Sequence, residues 1–342
     1  MAQQATRYLE RLLAREDLDE AEAADALKAM AEGSVDPAVA GGLLIALRCK
    51  GEAAAEIRGF ATAMRELARR PAIPAGEPYV DIVGTGGDSS GSLNLSTGAA
   101  LLAAASGLKV VKHGNRSISS RCGSADVLAA LGLKIPLDER EAATCLDTLG
   151  FTFLFAPHYH PAMKNIGPVR AALGVRTVFN ILGPLANPAT PPFHVIGAYS
   201  EEMAELMAET LAGMDAERSF VIHGAPGWDE ATPVGPFLCF DVRPGEVERS
   251  VRDPKDAGLA RCTAEDLLGG EAELNAERLR GALAGEDTPA HRDALALGAA
   301  LALEVTGTAP DLGSGIEMAR AAIDDGRAAA LVAGLGSVGT GA

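Results

Sequence analysis

Three glycines follow directly on a short apolar run in Asp81-Ile82-Val83-Gly84-Thr85-Gly86-Gly87-Asp88. Glycine tolerates positive φ and, having no Cβ, lets backbone N–H groups close on an anion. Ser92, Asn94, Ser96 and Thr97 come next, where a helical pattern begins, and a helix N-terminus offers free N–H groups with a partial positive charge. No Gly-Lys-Ser/Thr follows, so this is not the phosphate loop of nucleotide hydrolases. Nor is the spacing the G-x-G-x-x-G of dinucleotide sites. Two readings stand: a phosphate-binding turn, favoured by the four hydroxyl and amide side chains, or a tight strand-to-helix turn capped by Ser96.

A second polar cluster, Lys112-His113-Gly114-Asn115-Arg116-Ser117-Ile118-Ser119-Ser120, follows another apolar run, and Gly123, Ser124 and Asp126 then open a helix. Cations and small donors concentrated in an otherwise acidic chain point to an anion site. His113 taken alone reads as a structural histidine, and Cys122 as packing. Further on, Arg170 sits in Gly167-Pro168-Val169-Arg170-Ala171. A planar guanidinium there can clamp a carboxylate in two places, or be a surface arginine on a helix. Asp229 and Glu230 end the turn Gly224-Ala225-Pro226-Gly227-Trp228. Adjacent carboxylates after a strand and a turn suit Mg²⁺, which keeps several waters and bridges to phosphates, although adjacent acids are often only solvated.

The elements that must position these groups form an α/β pattern. The first seventy residues read as helices. Leu9, Leu12 and Leu13 give one apolar face, Ala24, Leu27 and Met30 another, Asp36-Pro37 starts a third helix, and Glu56 to Arg70 forms a fourth, stopped by Pro71. The run Gly42 to Leu47 is almost wholly apolar and predicts a helix buried on most sides. Pro71, Pro74, Gly76 and Pro78 mark a linker. Thereafter strands at 79–83, 108–112, 151–155, 194–198 and 220–223 alternate with helices at 97–105, 125–131, 139–149 and 201–211. That alternation predicts helices on a mainly parallel central sheet, with ligands at the carboxyl ends of its strands. The expected division is a small N-terminal helical domain of residues 1–73, joined by about 162–190, and a larger α/β domain of 79–342.

Composition narrows the function classes. Lys and Arg number 30 against 46 Asp and Glu, a net charge of −16, which opposes nucleic acid and anionic membranes as partners. Aromatic residues are 4%, too few for base-stacking platforms. Five widely spaced cysteines with no C-x-x-C pair give neither a zinc knuckle nor a disulfide framework. With no signal-peptide core at the start, a cytoplasmic protein is expected.

Taken together, Gly-Thr-Gly-Gly-Asp, Asn-Leu-Ser-Thr, Lys-His-Gly-Asn-Arg, Gly-Ser-Ala-Asp, His160-Pro161-Ala162-Met163-Lys164, Pro168-Val169-Arg170, Arg176-Thr177 and Phe179-Asn180-Ile181-Leu182-Gly183-Pro184-Leu185 resemble the anthranilate phosphoribosyltransferase family across most of the chain. The resemblance implies the nucleoside phosphorylase/phosphoribosyltransferase-like fold. It also implies transfer of phosphoribose from phosphoribosyl diphosphate to anthranilate in tryptophan synthesis, with Mg²⁺ and as a homodimer through the helical domain. It puts Gly84, Gly87, Asp88, Ser92, Asn94, Leu95, Ser96, Thr97, Lys112, Ser120 and Ser124 on the donor. Gly84, Asn115 and Arg170 fall on the acceptor, and Ser96, Asp229 and Glu230 on the metal. Two positions depart from the family: Ser92 stands where Thr is usual, and Trp228 where Leu is commoner, which bears on how the acidic loop closes.

Two rivals bound this reading. A pyrimidine nucleoside phosphorylase would replace Lys-His-Gly-Asn-Arg with a different loop rich in arginine and threonine. A nucleic-acid-binding relative on the same scaffold would need a basic surface and would have no use for Arg170, Asp229 and Glu230 together.

Overall fold

The computed structural model describes residues 2–88, 90–117 and 121–338. Four helices open the chain: α1 (Ala2–Leu13), α2 (Glu20–Ala31), α3 (Pro37–Lys50) and α4 (Ala54–Glu66). Asp36 caps α3 through the Ala38 N–H, with Pro37 at the first helical position. Asp19 and Glu22 close a reciprocal capping box on α2. In α1, Leu12 is buried but Leu13 is 68% exposed, so the expected apolar face is narrower than the sequence suggests. α4 ends before Pro71 rather than at it; the chain has already turned off, and the Arg69 N–H donates to the Tyr159 carbonyl at 2.8 Å.

The rest of the chain runs β1 (Tyr79–Gly84), α5 (Leu95–Ala105), β2 (Lys109–Gly114), α6 (Ser124–Ala130), α7 (Glu139–Leu149), β3 (Phe151–Phe155), α8 (Ala156–Tyr159) and α9 (Gly167–Leu173). It continues through β4 (Phe193–Gly197), α10 (Glu201–Ala212), β5 (Arg218–Gly224), β6 (Phe237–Arg243), β7 (Glu246–Arg252), α11 (Ala272–Leu283), α12 (Pro289–Val305), α13 (Leu312–Asp324) and α14 (Arg327–Gly334). The sheet order is β3-β2-β1-β4-β5-β6-β7. The first five strands are parallel, while β6 and β7 return antiparallel as a hairpin at one edge. The mainly parallel sheet is as expected; the hairpin was not foreseen, because β7 alternates charged residues on an exposed edge and offers no buried apolar run, and the buried run of β6 is omitted from the sequence reading.

Two strand boundaries matter for the site. β2 extends to Gly114, which brings His113 and Gly114 into the ladder rather than into a loop. α5 starts at Leu95 with Asn94 at the cap position, so Ser96 is the second helical residue and not the cap.

Two apolar clusters flank the sheet. One joins α5, α6, α7 and α11–α14 to the sheet through Val80, Val110, Phe151 and Phe220. The other contains the faces of α1–α4, Ile166, Val178, Phe179, Ile181, Leu182 and Leu185, and continues through Ile196, Val221, Leu238 and Phe240 onto the opposite face of the sheet. α2 and α4 pack closely enough that a Cβ on Gly59 would meet the Glu20 carbonyl oxygen at 2.2 Å and the Ala23 Cβ at 2.8 Å. Gly59→Val should therefore cost about 2–3 kcal/mol through overpacking against backbone. By contrast, Gly313→Ala in α13, where the added carbon meets only Asp311 at 3.5 Å, should be neutral or gain up to about 1 kcal/mol. Urea denaturation of both variants measures this; equal effects would remove the packing explanation.

Candidate active site

β1, β4 and β5 are neighbours, and each ends in glycine: Gly84, Gly197 and Gly224. The loop after β5 lies directly on those ends. A Cβ on Gly84 would sit 2.2 Å from Asp229 Oδ2, one on Gly197 1.5 Å from the Asp229 carbonyl oxygen, and one on Gly224 1.9 Å from the Glu230 carbonyl oxygen. At Gly197 and Gly224 backbone leaves no room for a side chain, and at Gly84 a side chain would displace the Asp229 carboxylate. Trp228 is buried in the sheet core, and Gly224 and Trp228 exchange two backbone hydrogen bonds of 2.9 Å that close the turn. The bulky residue thus anchors this loop from beneath.

The acidic pair meets the glycine turn after β1. Asp229 Oδ2 accepts from the Gly86 N–H at 2.6 Å, and the Asp229 N–H donates to Asp88 Oδ2 at 3.3 Å. Glu230 accepts from the Ser96 N–H at 3.0 Å and from the Ser92 hydroxyl at 3.1 Å. The position of Ser96 as second residue of α5 explains the first of these bonds, since the early N–H groups of a helix have no partner within it. Ser92 keeps the hydroxyl that a threonine would supply, and uses it on Glu230.

Neither Asp229 nor Glu230 has an ion-pair partner among the described residues. Burial pushes both carboxyls well above the ordinary range; the Asp88 charge adds to the shift of Asp229, and those of Asp229 and Asp88 to the shift of Glu230. Negative groups gathered in this way fit a bound cation. Among the described residues no three His, Cys, Asp or Glu side chains converge closely enough to hold a metal by themselves. Mg²⁺ does not require that, because it retains waters and takes ligands from phosphates. The two carboxylates and the Ser96 hydroxyl are the groups that would face it.

Lys112 reaches under this cluster from β2. Its ammonium is buried, donates to the Ile82 carbonyl and lies 3.4 Å from the Ser96 hydroxyl. Burial lowers its pKa, while Asp81, Glu230 and Asp229 oppose that. Asp81, wholly buried, is pushed up to about 6 by burial, against the Lys112 charge and a 2.8 Å hydrogen bond from the Asn187 amide. Thr97 is buried with its hydroxyl unpartnered, whereas the Leu95 side chain is core, leaving only backbone for the donor. The Asn94 amide is engaged by protein, donating to the Cys122 carbonyl at 3.1 Å and accepting from Asn275 at 2.8 Å.

The cationic loop contributes less free charge than its composition suggests. Arg116 is paired with Asp126 at 2.7 Å, and Asp126 also accepts from the Ser117 and Gly123 N–H groups. His113 is buried, donates from Nδ1 to the Gly183 carbonyl at 3.0 Å and packs edge-on to His160 at 5.0 Å. Burial lowers His113 to about 3 and His160 to about 4, so both rings are neutral. Asn115 is exposed, and its carbonyl accepts from the Ser124 hydroxyl at 3.2 Å. Ser120 lies outside the described residues.

Arg170, on α9, is half-buried above the Phe179 ring, 5.1 Å from its centroid. No carboxylate or other acceptor among the described residues takes its guanidinium, and burial lowers its pKa. It is a cation held ready for an anion. Asn187, Asn275 and Gly197 escaped the sequence reading, and Asp126, Arg176 and Gly224 appear in it only as motif residues without a role. The role of the two glycines could have been found, since each closes a strand as Gly84 does; the others carry no local signal.

Residues 76–329 match the model of the glycosyl transferase family a/b domain, and residues 6–68 that of the same family's helical bundle domain. The anthranilate phosphoribosyltransferase of Chloroflexus aggregans is 48% identical over 318 residues, covering 93% of each chain. The chain belongs to the anthranilate phosphoribosyltransferase family. The crystal structure of the family member from Thermus thermophilus superposes with a TM-score of 0.90 at 43% identity, covering 97% of this chain and 98% of that one. The Saccharomyces cerevisiae member, solved in complex with PRPP and Mg, gives 0.88 at 25% identity over 99% of this chain and 98% of that one. The same yeast enzyme has also been solved with 4-fluoroanthranilate, with a TM-score of 0.86.

The raised carboxyls carry a sign that can be tested. Their pKa values are higher in the folded than in the unfolded chain, so the folded state holds protons that the unfolded state releases. The stability lost in this way grows as pH climbs from about 4, where unfolded carboxyls ionise, towards the raised values. Asp229→Asn/Glu230→Gln should therefore melt above the parent in chelator, with a margin larger at about pH 8 than at about pH 5. The buried histidines titrate in both proteins and cancel in the difference. Thermal unfolding at both pH values decides it; a margin that shrinks with rising pH would refute the buried-charge account.

Proposed function

We propose that this chain transfers the 5-phosphoribosyl unit of phosphoribosyl diphosphate to the amine of anthranilate, releasing diphosphate and forming N-(5-phosphoribosyl)anthranilate for tryptophan synthesis. The observation that carries this reading is the buried pair Asp229 and Glu230, without an ion-pair partner among the described residues and seated on the glycine turn and on the N-terminus of α5. Its support extends to the relatives named above, one of which was solved with PRPP and Mg.

In this reading the donor lies along Gly84, Gly87, Asp88, Ser92, Asn94, Ser96 and Thr97, with the Leu95 backbone, Lys112, Ser120 and Ser124 completing it. Mg²⁺, when bound at Ser96, Asp229 and Glu230, supplies positive charge to the departing diphosphate. Lys112 adds a second charge from beneath, and the free N–H groups at the start of α5 add dipoles. Arg170 takes the acceptor carboxylate, and Asn115 and Gly84 border the aromatic amine. The amine nitrogen bonds to the anomeric carbon as the bond from that carbon to the diphosphate oxygen breaks, and the nitrogen then gives up a proton. An aromatic amine is already neutral near pH 7, so positioning and charge neutralisation carry the rate, with no nucleophilic side chain.

The same reading divides the chain into a helical unit of 1–73, with about 162–190, and an α/β unit of 79–342. The two matched family domains and the packing of Ile166 to Leu185 among α1–α4 support that division. A homodimer through the helical unit also belongs to it, supported by the exposed apolar Leu13 on α1. No helix among the described residues is long and apolar enough to cross a membrane.

Loss of anthranilate fluorescence on mixing with phosphoribosyl diphosphate and Mg²⁺ tests the activity. Arg170→Ala should raise the KM for anthranilate about tenfold or more, the effect of losing a charge-assisted hydrogen bond of about 1.5–3 kcal/mol. Asp229→Asn/Glu230→Gln should abolish metal-dependent turnover. Absence of any consumption by folded protein at high substrate would overturn the assigned reaction.

A further inference from the structure

Arg176 has no part in the reading above, yet from the arm that carries Arg170 it touches the donor turn. It lies between α9 and the turn Val178–Asn180, six residues beyond Arg170 on the same arm. Its Nη2 donates to the carbonyl of Gly87, and its guanidinium stands over the Tyr199 ring, 5.1 Å from the centroid. Its own carbonyl accepts from Arg48 Nη1 of α3 at 2.5 Å, which ties the arm to the helical bundle.

Gly87 is shaped around this contact. Its φ is +82°, and a Cβ there would meet Arg176 Nη2 at 2.6 Å. A trans peptide points its carbonyl and its N–H in opposite directions. With the Gly87 carbonyl turned to Arg176, the Asp88 N–H is turned away from it, and no acceptor among the described residues takes that N–H. An arginine on the acceptor arm thus sets the orientation of a peptide in the donor turn.

We propose that Arg176 is a positioning residue for the phosphorylated donor. By holding the Gly87–Asp88 peptide, from the arm that carries Arg170, it presents the Asp88 N–H to the diphosphate. The proposal rests on the phosphoribosyl-transfer reading for the identity of the donor. Tyr199 serves by giving the guanidinium a face to lie on.

The test measures both KM values, kcat and thermal unfolding for Arg176→Ala, Arg176→Lys and Tyr199→Leu, and titrates each protein with magnesium diphosphate by calorimetry. Arg176→Ala should raise the donor KM and weaken diphosphate binding about tenfold, as expected for one lost charge-assisted hydrogen bond. The anthranilate KM and the melting temperature should stay unchanged, because the side chain is exposed. Arg176→Lys should recover part of the loss, and Tyr199→Leu should shift the donor KM in the same direction by less. An unchanged donor KM, or a rise in both KM values together with a lower melting temperature, would reduce Arg176 to a structural brace and overturn the proposal. If the parent protein consumes no anthranilate, the assigned reaction fails, while the diphosphate titration still reports on Arg176.

Discussion

A pair of carboxylates can be buried only where something else makes room for them and something else answers their charge. Here the room comes from absence: Gly84, Gly197 and Gly224 end three adjacent strands, and the Asp229 carboxylate at Gly84 and the backbone of Asp229 and Glu230 at the other two occupy the space their side chains would fill. The sheet order β1-β4-β5 is what lines up those three ends, and α5 begins close enough above them for the Ser96 N–H to reach Glu230. Moving the acidic loop would therefore disturb the glycine turn, the start of α5 and the closure around Trp228 together.

The charge is answered less completely. Backbone and hydroxyl donors reach one oxygen of Asp229 and both of Glu230, and Lys112 contributes from below, but both carboxyls remain raised by burial, with the Asp88 charge adding to both shifts and that of Asp229 adding to Glu230. The surroundings are otherwise kept free of competing ions. Arg116 is spent on Asp126, and His113 and His160 are neutral. Arg170, on the far arm, lies over Phe179 with no hydrogen-bond or ion-pair partner among the described residues. Buried carboxylates on one side, with the Arg170 guanidinium on the other, suit a metal-bound diphosphate facing a carboxylate-bearing acceptor.

Much of this was legible along the chain. The glycine turn, the helix after it, the basic cluster, Arg170 and the acidic pair are all contiguous motifs, and a motif of neighbouring residues is visible without the fold. So are the alternation that demands a mainly parallel sheet and the capped start of α3, because periodicity and capping act over a few residues. The basic cluster carries less free charge than its composition suggests, because a partner ten residues away cancels Arg116, while His113, which reads as structural from the sequence, is indeed a buried neutral ring. In the edge hairpin, β7 is exposed and carries no apolar pattern, whereas β6, a buried apolar run at Phe237–Arg243, carries one that the sequence reading omits.

The sequence by itself determined which groups are present and which local turns and helices carry them, since these depend on neighbours in the chain. The tertiary structure alone decided which groups meet. Gly84 and Asp229 are remote in sequence, as are Gly87 and Arg176, or Asn94 and Asn275; each pair is joined only when strands and helices stack. Burial follows the same division. A carboxylate or an imidazole has one pKa in an extended chain, and acquires its shifted one only when the fold removes its water and sets its charged neighbours.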